Sequence, residues 1–175
     1  RQMKFHELYY FYDKYCKDKK GKILDIACGN SRNLLPFENF EKYGIDFSSK
    51  MLEQAEIFSK KNNFEVNLKK ADMGNLPFED NYFDIVLNIA ALHHLENNRE
   101  KALEEMYRVL KKDGLALLTV WKKEGNKQQY IKWGKEERYY YFFSYSELKD
   151  LIKKAGFKIL EDKTSGKNIV FVLKK

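Results

Sequence analysis

Cysteine is scarce in this 175-residue sequence, and the two that occur, Cys16 and Cys28, are too few for a disulfide scaffold. They show no metal-ligand spacing either, so both are expected as reduced thiols and no metal site is expected. Long apolar runs are missing as well. No stretch approaches the roughly 20 residues that span a bilayer as a helix, and the first residues lack the zones of a secretory signal, so a cytoplasmic location is expected. Internal repeats and disordered linkers are absent. So is the long glycine fingerprint that holds a dinucleotide pyrophosphate, which disfavours NAD.

What is present suits one α/β domain around one core, residues 1–175, without room for a second full-sized domain. An apolar share of 43% against 34% charged residues places the chain among globular proteins. A net charge of +7 favours an anionic partner, although a lysine-rich chain also arises from genome base composition.

Phe5, Leu8, Tyr9 and Tyr12 recur at helical spacing, and Ile23 to Ala27 then reads as a short buried strand. A helix over Arg32 to Asn39 is interrupted by Pro36, and Tyr43 to Phe47 is a second strand. Met51, Leu52, Ala55 and Phe58 mark the next helix. Strands are expected over Phe64 to Lys70 and Phe83 to Ile89, with turn residues Gly74, Asn75, Pro77 and Asp80 between them. Ala102 to Leu110 forms a helical face that stops at Lys112-Asp113-Gly114, where the glycine suits a left-handed C-terminal cap. Leu115 to Trp121 is apolar enough for a strand covered on both faces. Ser144-Tyr-Ser-Glu147 matches a capping box that opens a helix running to Gly156. Phe157 to Asp162 and Ile169 to Leu173 form a closing hairpin. Alternating strands and helices with a terminal hairpin imply a mostly parallel sheet with one antiparallel strand.

The small-residue turn Ala27-Cys28-Gly29 directly follows a buried strand, which is where ligands bind in a doubly wound sheet. Asp25 is placed to accept from a ligand amine; an ordinary strand-to-helix turn remains the alternative. Asp46 ends the second strand at the spacing of a ribose-binding carboxylate, or caps the helix that begins near Ser48. Asp72 is a candidate for an adenine amine with Met73 packing on the ring, or it serves the turn before Gly74.

Leu24-Asp-Ile-Ala-Cys-Gly29, Gly44-Ile-Asp46, Ala71-Asp72, Leu76-Pro-Phe78, Phe83-Asp-Ile-Val86 and Leu110-Lys-Lys-Asp-Gly114 together resemble the ordered motifs of class I methyltransferases. The resemblance implies a Rossmann-like fold with a seven-stranded sheet and S-adenosylmethionine as cofactor, with Phe47, Ser48 and Asn88 added to the cofactor set. Residues 22–121 form its cofactor-binding core, 122–143 a substrate-side lid, and 144–175 the closing helix and hairpin. Ala27 and Ser31 stand where glycines are common in the family.

Asn88-Ile-Ala-Ala-Leu-His-His94, then Trp121, Trp133, Arg138-Tyr-Tyr140, Glu147-Leu148 and the closing Gly166-Lys-Asn168 hairpin resemble the enzymes that methylate 5-carboxymethyluridine at the tRNA wobble position. Arg1 stands where that family carries a Thr-Arg pair. The resemblance implies that Arg138 binds the carboxylate or a phosphate. It further implies that Tyr139 or Trp133 stacks on the base, that His93 or His94 lines the pocket, and that Arg1 and Tyr140 belong to the substrate side. The plainer readings are one core and one solvated histidine, and core packing for Phe142 and Phe143. Basic and aromatic residues interleave from Lys122 to Phe143, as expected where a loop meets a polyanion such as a tRNA anticodon loop. The resemblance also implies a heterodimer with a small zinc-ribbon activator that adds a strand at the edge near Phe64 to Leu68. A small-molecule or quinone methyltransferase, which needs no Arg138-Tyr-Tyr segment, and a non-catalytic cofactor-binding subunit are the competing readings.

Overall fold

The computed structural model describes residues 5–123, 127–133 and 136–175 and, within them, all side chains but those of Trp133, Glu136 and Ser165. The strands β1 (Gly21–Ile26), β2 (Phe40–Asp46), β3 (Asn67–Lys70), β4 (Phe83–Ile89), β5 (Leu110–Trp121), β8 (Lys158–Ser165) and β9 (Asn168–Lys174) form a seven-stranded sheet of order β3-β2-β1-β4-β5-β9-β8. Strand β9 runs antiparallel to both neighbours, while β1 to β5 pair in parallel. This is the mostly parallel sheet that the alternation of strands and helices implies.

Helices α3 (Arg99–Val109) and α4 (Tyr145–Lys154) cover one face, where Met106, Leu148 and Ile152 join Val86, Leu118 and Phe171 in the main core. Helix α1 (His6–Phe11) covers the other, with Leu8 and Phe11 against Ile85, Leu87, Leu117 and Val172. Successive β5 side chains therefore enter different cores, which is why that strand is almost uniformly apolar. Helix α2 (Ser49–Lys61) is capped by Ser48, whose hydroxyl accepts from the Met51 N–H at 3.4 Å. Among the described residues no helix is long and apolar enough to cross a membrane.

Four local expectations change. Residues 32–39 give only a short 3-10 turn, Arg32–Leu34, consistent with Pro36 supplying no N–H to continue it. Strand β3 starts at Asn67 because Phe64 and Val66 pack into the α1-side core instead of joining the ladder. After α3 the left-handed residue is Asp113, at φ 64°, and not Gly114. Gly114 is required by space, since a Cβ there would lie 2.8 Å from Leu110 Cγ and from the Lys111 carbonyl oxygen. Finally, the segment expected as a lid contains a two-stranded antiparallel hairpin of its own, β6 (Gln128–Trp133) and β7 (Glu136–Tyr141).

Candidate active site

Register places the turns after the parallel strands at one level. Ile26 pairs with Ile45 on one side and Asn88 on the other, so the residues that follow β1, β2 and β4 emerge together at the edge where strand order reverses. Ala27, Gly29 and Ser31 all take positive φ, at 55°, 55° and 62°. An alanine and a serine in this conformation carry local strain of order 1 kcal/mol or more, which persists where the surroundings impose it. The surroundings here are hydrogen bonds: Cys28 N–H donates to the Ile45 carbonyl at 2.8 Å, and Gly29 N–H to Asp46 Oδ2 at 3.0 Å.

Both oxygens of Asp46 are engaged by the backbone. Oδ2 holds the first turn and Oδ1 accepts from the Ser48 N–H at 2.9 Å, leading the chain into α2. The exposed ring of Phe47 follows, 77% accessible. Cys28 turns its sulfur inward, where a Cβ on Gly44 would lie only 2.9 Å from it, so its contribution at the turn is backbone. Burial pushes its thiol up to about 12, which makes it a poor nucleophile.

Asp25 lies beneath this turn, fully buried. Its Oδ2 accepts from Asn33 Nδ2 at 3.2 Å, and Oδ1 has no hydrogen-bond partner among the described residues. Burial above all, helped by the negative charge of Asp46, pushes the carboxyl up to about 7. A buried carboxylate oxygen without a donor is costly and rare in folded proteins, and a cationic ligand amine relieves it. The site therefore fits a nucleoside cofactor bearing an amine: Asp25 suits the amine, Asp46 ribose hydroxyls, and Phe47 an apolar face. Asp72 supports the turn reading, its Oδ1 accepting from the Gly74 N–H at 2.6 Å, while Met73 packs on the main core. Asn88 is buried and holds the next turn, its Oδ1 accepting from the Leu92 N–H at 3.2 Å.

That turn carries the histidines. Ala90 has φ 54°, and its N–H meets both the carbonyl and the hydroxyl of Thr119, at 2.9 and 3.0 Å. His93 is wholly buried beside Trp121 and Tyr140, with ring centroids at 5.3 and 5.6 Å, and those two rings lie 5.4 Å from each other, so the three form a triangle. The Trp121 N–H donates to His93 Nδ1 at 3.2 Å, and Nε2 has no partner among the described residues. Burial, with His94 beside it, pushes the imidazole down to about 3. His94 places Nδ1 3.1 Å from the Tyr139 carbonyl oxygen and is also lowered, by burial and by the charge of Arg138.

Arg138 and Tyr140 share one face of β7, since side chains two apart on a strand point the same way. Arg138 is exposed there, and its charge reaches His94. Tyr139 points to the other face, its hydroxyl donating to Gln128 at 3.0 Å, so its carbonyl and not its ring meets the histidine turn. Tyr140 packs in the histidine stack at 1% exposure, and Phe142 and Phe143 are core. Arg1 and the Trp133 side chain lie outside the described residues. Sequence reading missed Asn33 and Thr119, because a side chain that supports another residue across the fold leaves no local pattern.

Residues 24–118 match the family described as a methyltransferase domain. A protein of Encephalitozoon cuniculi named as a methyltransferase is 33% identical over 94% of this chain and 83% of its own length. A tRNA (carboxymethyluridine(34)-5-O)-methyltransferase of Arabidopsis thaliana is 39% identical over 58% of this chain, which spans only 24% of that relative. In fold, the crystal structure of a Pyrococcus horikoshii protein superposes with a TM-score of 0.84 at 24% identity, covering 97% of this chain and 88% of that one.

Proposed function

The chain belongs to the methyltransferase domain family of S-adenosylmethionine-dependent enzymes, and on that premise we propose that it methylates the carboxylate of 5-carboxymethyluridine at the wobble position of tRNA. The observation that carries this reading is the absence of a ready base among the described histidines of the site. His93 already accepts a backbone N–H and is held neutral, and His94 is a weaker base than a free imidazole. A phenol or quinol must lose a proton before it attacks a methyl group. A carboxylate is already an anion at neutral pH, so it needs only alignment.

The cofactor supplies an electrophilic methyl on a sulfonium centre. The chain's part is to bind and orient: Asp25, Asp46 and the Ala27–Gly29 backbone on the cofactor side, Arg138 toward the anionic acceptor, and the β6–β7 hairpin over the histidine turn. Arg138 suits a carboxylate because a guanidinium pairs with it through two parallel hydrogen bonds. The Arabidopsis relative's name points to the same acceptor. The edge strand β3, only four residues long with its outer side unpaired among the described strands, suits an activator that adds a strand there.

Nucleoside mass spectrometry on tRNA bearing 5-carboxymethyluridine tests the proposal, with the chain supplied alone and co-expressed with a zinc-ribbon activator. A gain of one methyl at that nucleoside is expected, larger with the activator. No gain in either arm from a chain that binds S-adenosylhomocysteine overturns the substrate. Equal activity in both arms overturns the partner.

A further inference from the structure

We propose that His93 is a fixed hydrogen-bond donor, through Nε2–H, to an oxygen of the methyl-accepting group, and that it does not act as a base. This rests on the carboxylate-methylating reading above. A backbone N–H can donate but not accept, so the Trp121 N–H at 3.2 Å occupies the Nδ1 lone pair. A neutral imidazole whose Nδ1 accepts must carry its proton on Nε2. The tautomer is therefore set by the backbone at the end of β5.

Three aromatic neighbours pack against the imidazole. Trp121 and Tyr140 lie nearly parallel to it, at interplanar angles of 25° and 17°, and His94 presses on it with ring centroids 4.3 Å apart. The ring is 0% exposed, so bulk water does not compete for Nε2. Among the described residues the charge of a protonated His93 would meet no carboxylate partner; the titratable group beside it is His94, itself under the influence of Arg138, and both favour the neutral form.

A buried N–H with no acceptor among the described residues is rare in a folded protein and calls for a specific cause, of which a bound ligand atom is one. His93 follows β4 at the same sheet edge as the turn above Asp25, and the Arg138 face of β7 covers it through Tyr140. Arg138 then supplies charge to the acceptor, while His93 supplies direction to a single oxygen.

The test uses the full chain labelled with 15N-histidine, in which only three histidines contribute signals. The expected spectrum contains one ring with a protonated Nε2 and a bare Nδ1, unchanged across the range where free imidazole titrates. That signal disappears in His93→Gln. His93→Leu should lower kcat toward carboxymethyluridine RNA by about 10- to 100-fold with S-adenosylhomocysteine affinity unchanged. His93→Gln, which keeps an N–H donor, should recover most of the loss. An Nδ1–H tautomer, a titrating ring, or a His93→Leu variant as fast as the unaltered chain overturns the proposal. If the unaltered chain transfers no methyl to that RNA, the wobble reading falls and the proposed acceptor with it, while the spectrum still decides the tautomer. A chain that methylates the RNA but shows a titrating His93 keeps the function and loses only this inference.

Discussion

Asp25 is fully buried and its carboxyl is pushed up to about 7 from an ordinary 3.8, chiefly by loss of water. Between those two values the folded chain holds a proton that the unfolded chain has released. Stability of the ligand-free protein should therefore fall as pH rises through that interval, and stay at the lower level above it. Asp25→Asn removes the buried charge and keeps an oxygen for Asn33. Above neutral pH it should raise the melting temperature of the ligand-free chain, at about 2–4 °C per kcal/mol recovered for a domain of this size. The same change should weaken S-adenosylhomocysteine by about tenfold in calorimetry, because the ligand ammonium exchanges a carboxylate partner for an uncharged amide oxygen. A variant with both quantities unchanged would remove Asp25 from the site.

At the scale of elements, the β6–β7 hairpin is fastened from several sides. Tyr130 donates to Glu96 at 3.1 Å, the Tyr141 hydroxyl donates to Glu147, and the Arg99 guanidinium lies 3.9 Å from the Tyr141 ring centre. Glu147 in turn belongs to the first turn of α4, whose cap is Ser144, accepting the Glu147 N–H at 3.3 Å. The capping box was legible in sequence; that its glutamate also anchors the hairpin was not. Ser144→Ala should cost about 1 kcal/mol of stability. Because α4 follows β7 almost directly, it should also speed amide exchange in Tyr139 to Tyr141, measured by mass spectrometry after deuterium labelling. Unchanged exchange there would mean that the hairpin is held without α4. The segment Leu76-Pro77-Phe78 is explained at the same scale. Glu105 accepts the Leu76 N–H at 2.7 Å, and Arg108 donates to the carbonyls of Leu76 and Phe78 at 3.0 and 2.8 Å. These contacts tie the loop after β3 to α3.

For the whole molecule, the excess of +7 sets an expectation about binding rather than fold. If the ligand is RNA, the logarithm of its association constant should fall with the logarithm of salt concentration, by about 0.7 for each phosphate neutralised on a single strand. Fluorescence anisotropy with an anticodon stem-loop at stepped salt measures that slope. A flat dependence would favour the small-molecule reading, in which surface charge plays no part in substrate binding.

Composition and periodicity by themselves determined the order of the seven main-sheet strands and of the helices between them apart from residues 32–39, the single antiparallel strand, the turn above Asp25, and Asp46 at the end of β2. These features depend on neighbours in sequence, on apolar spacing and on turn chemistry. Only the tertiary structure decided the rest. It turned Tyr139 away from the histidines and Tyr140 into their stack, assigned Asn33 to Asp25 and Thr119 to Ala90, and set the His93 tautomer from the backbone of Trp121. Each of these depends on which groups meet across the sheet edge after folding. Burial changes the energy of a charge or an unpaired donor far more than chain neighbours do.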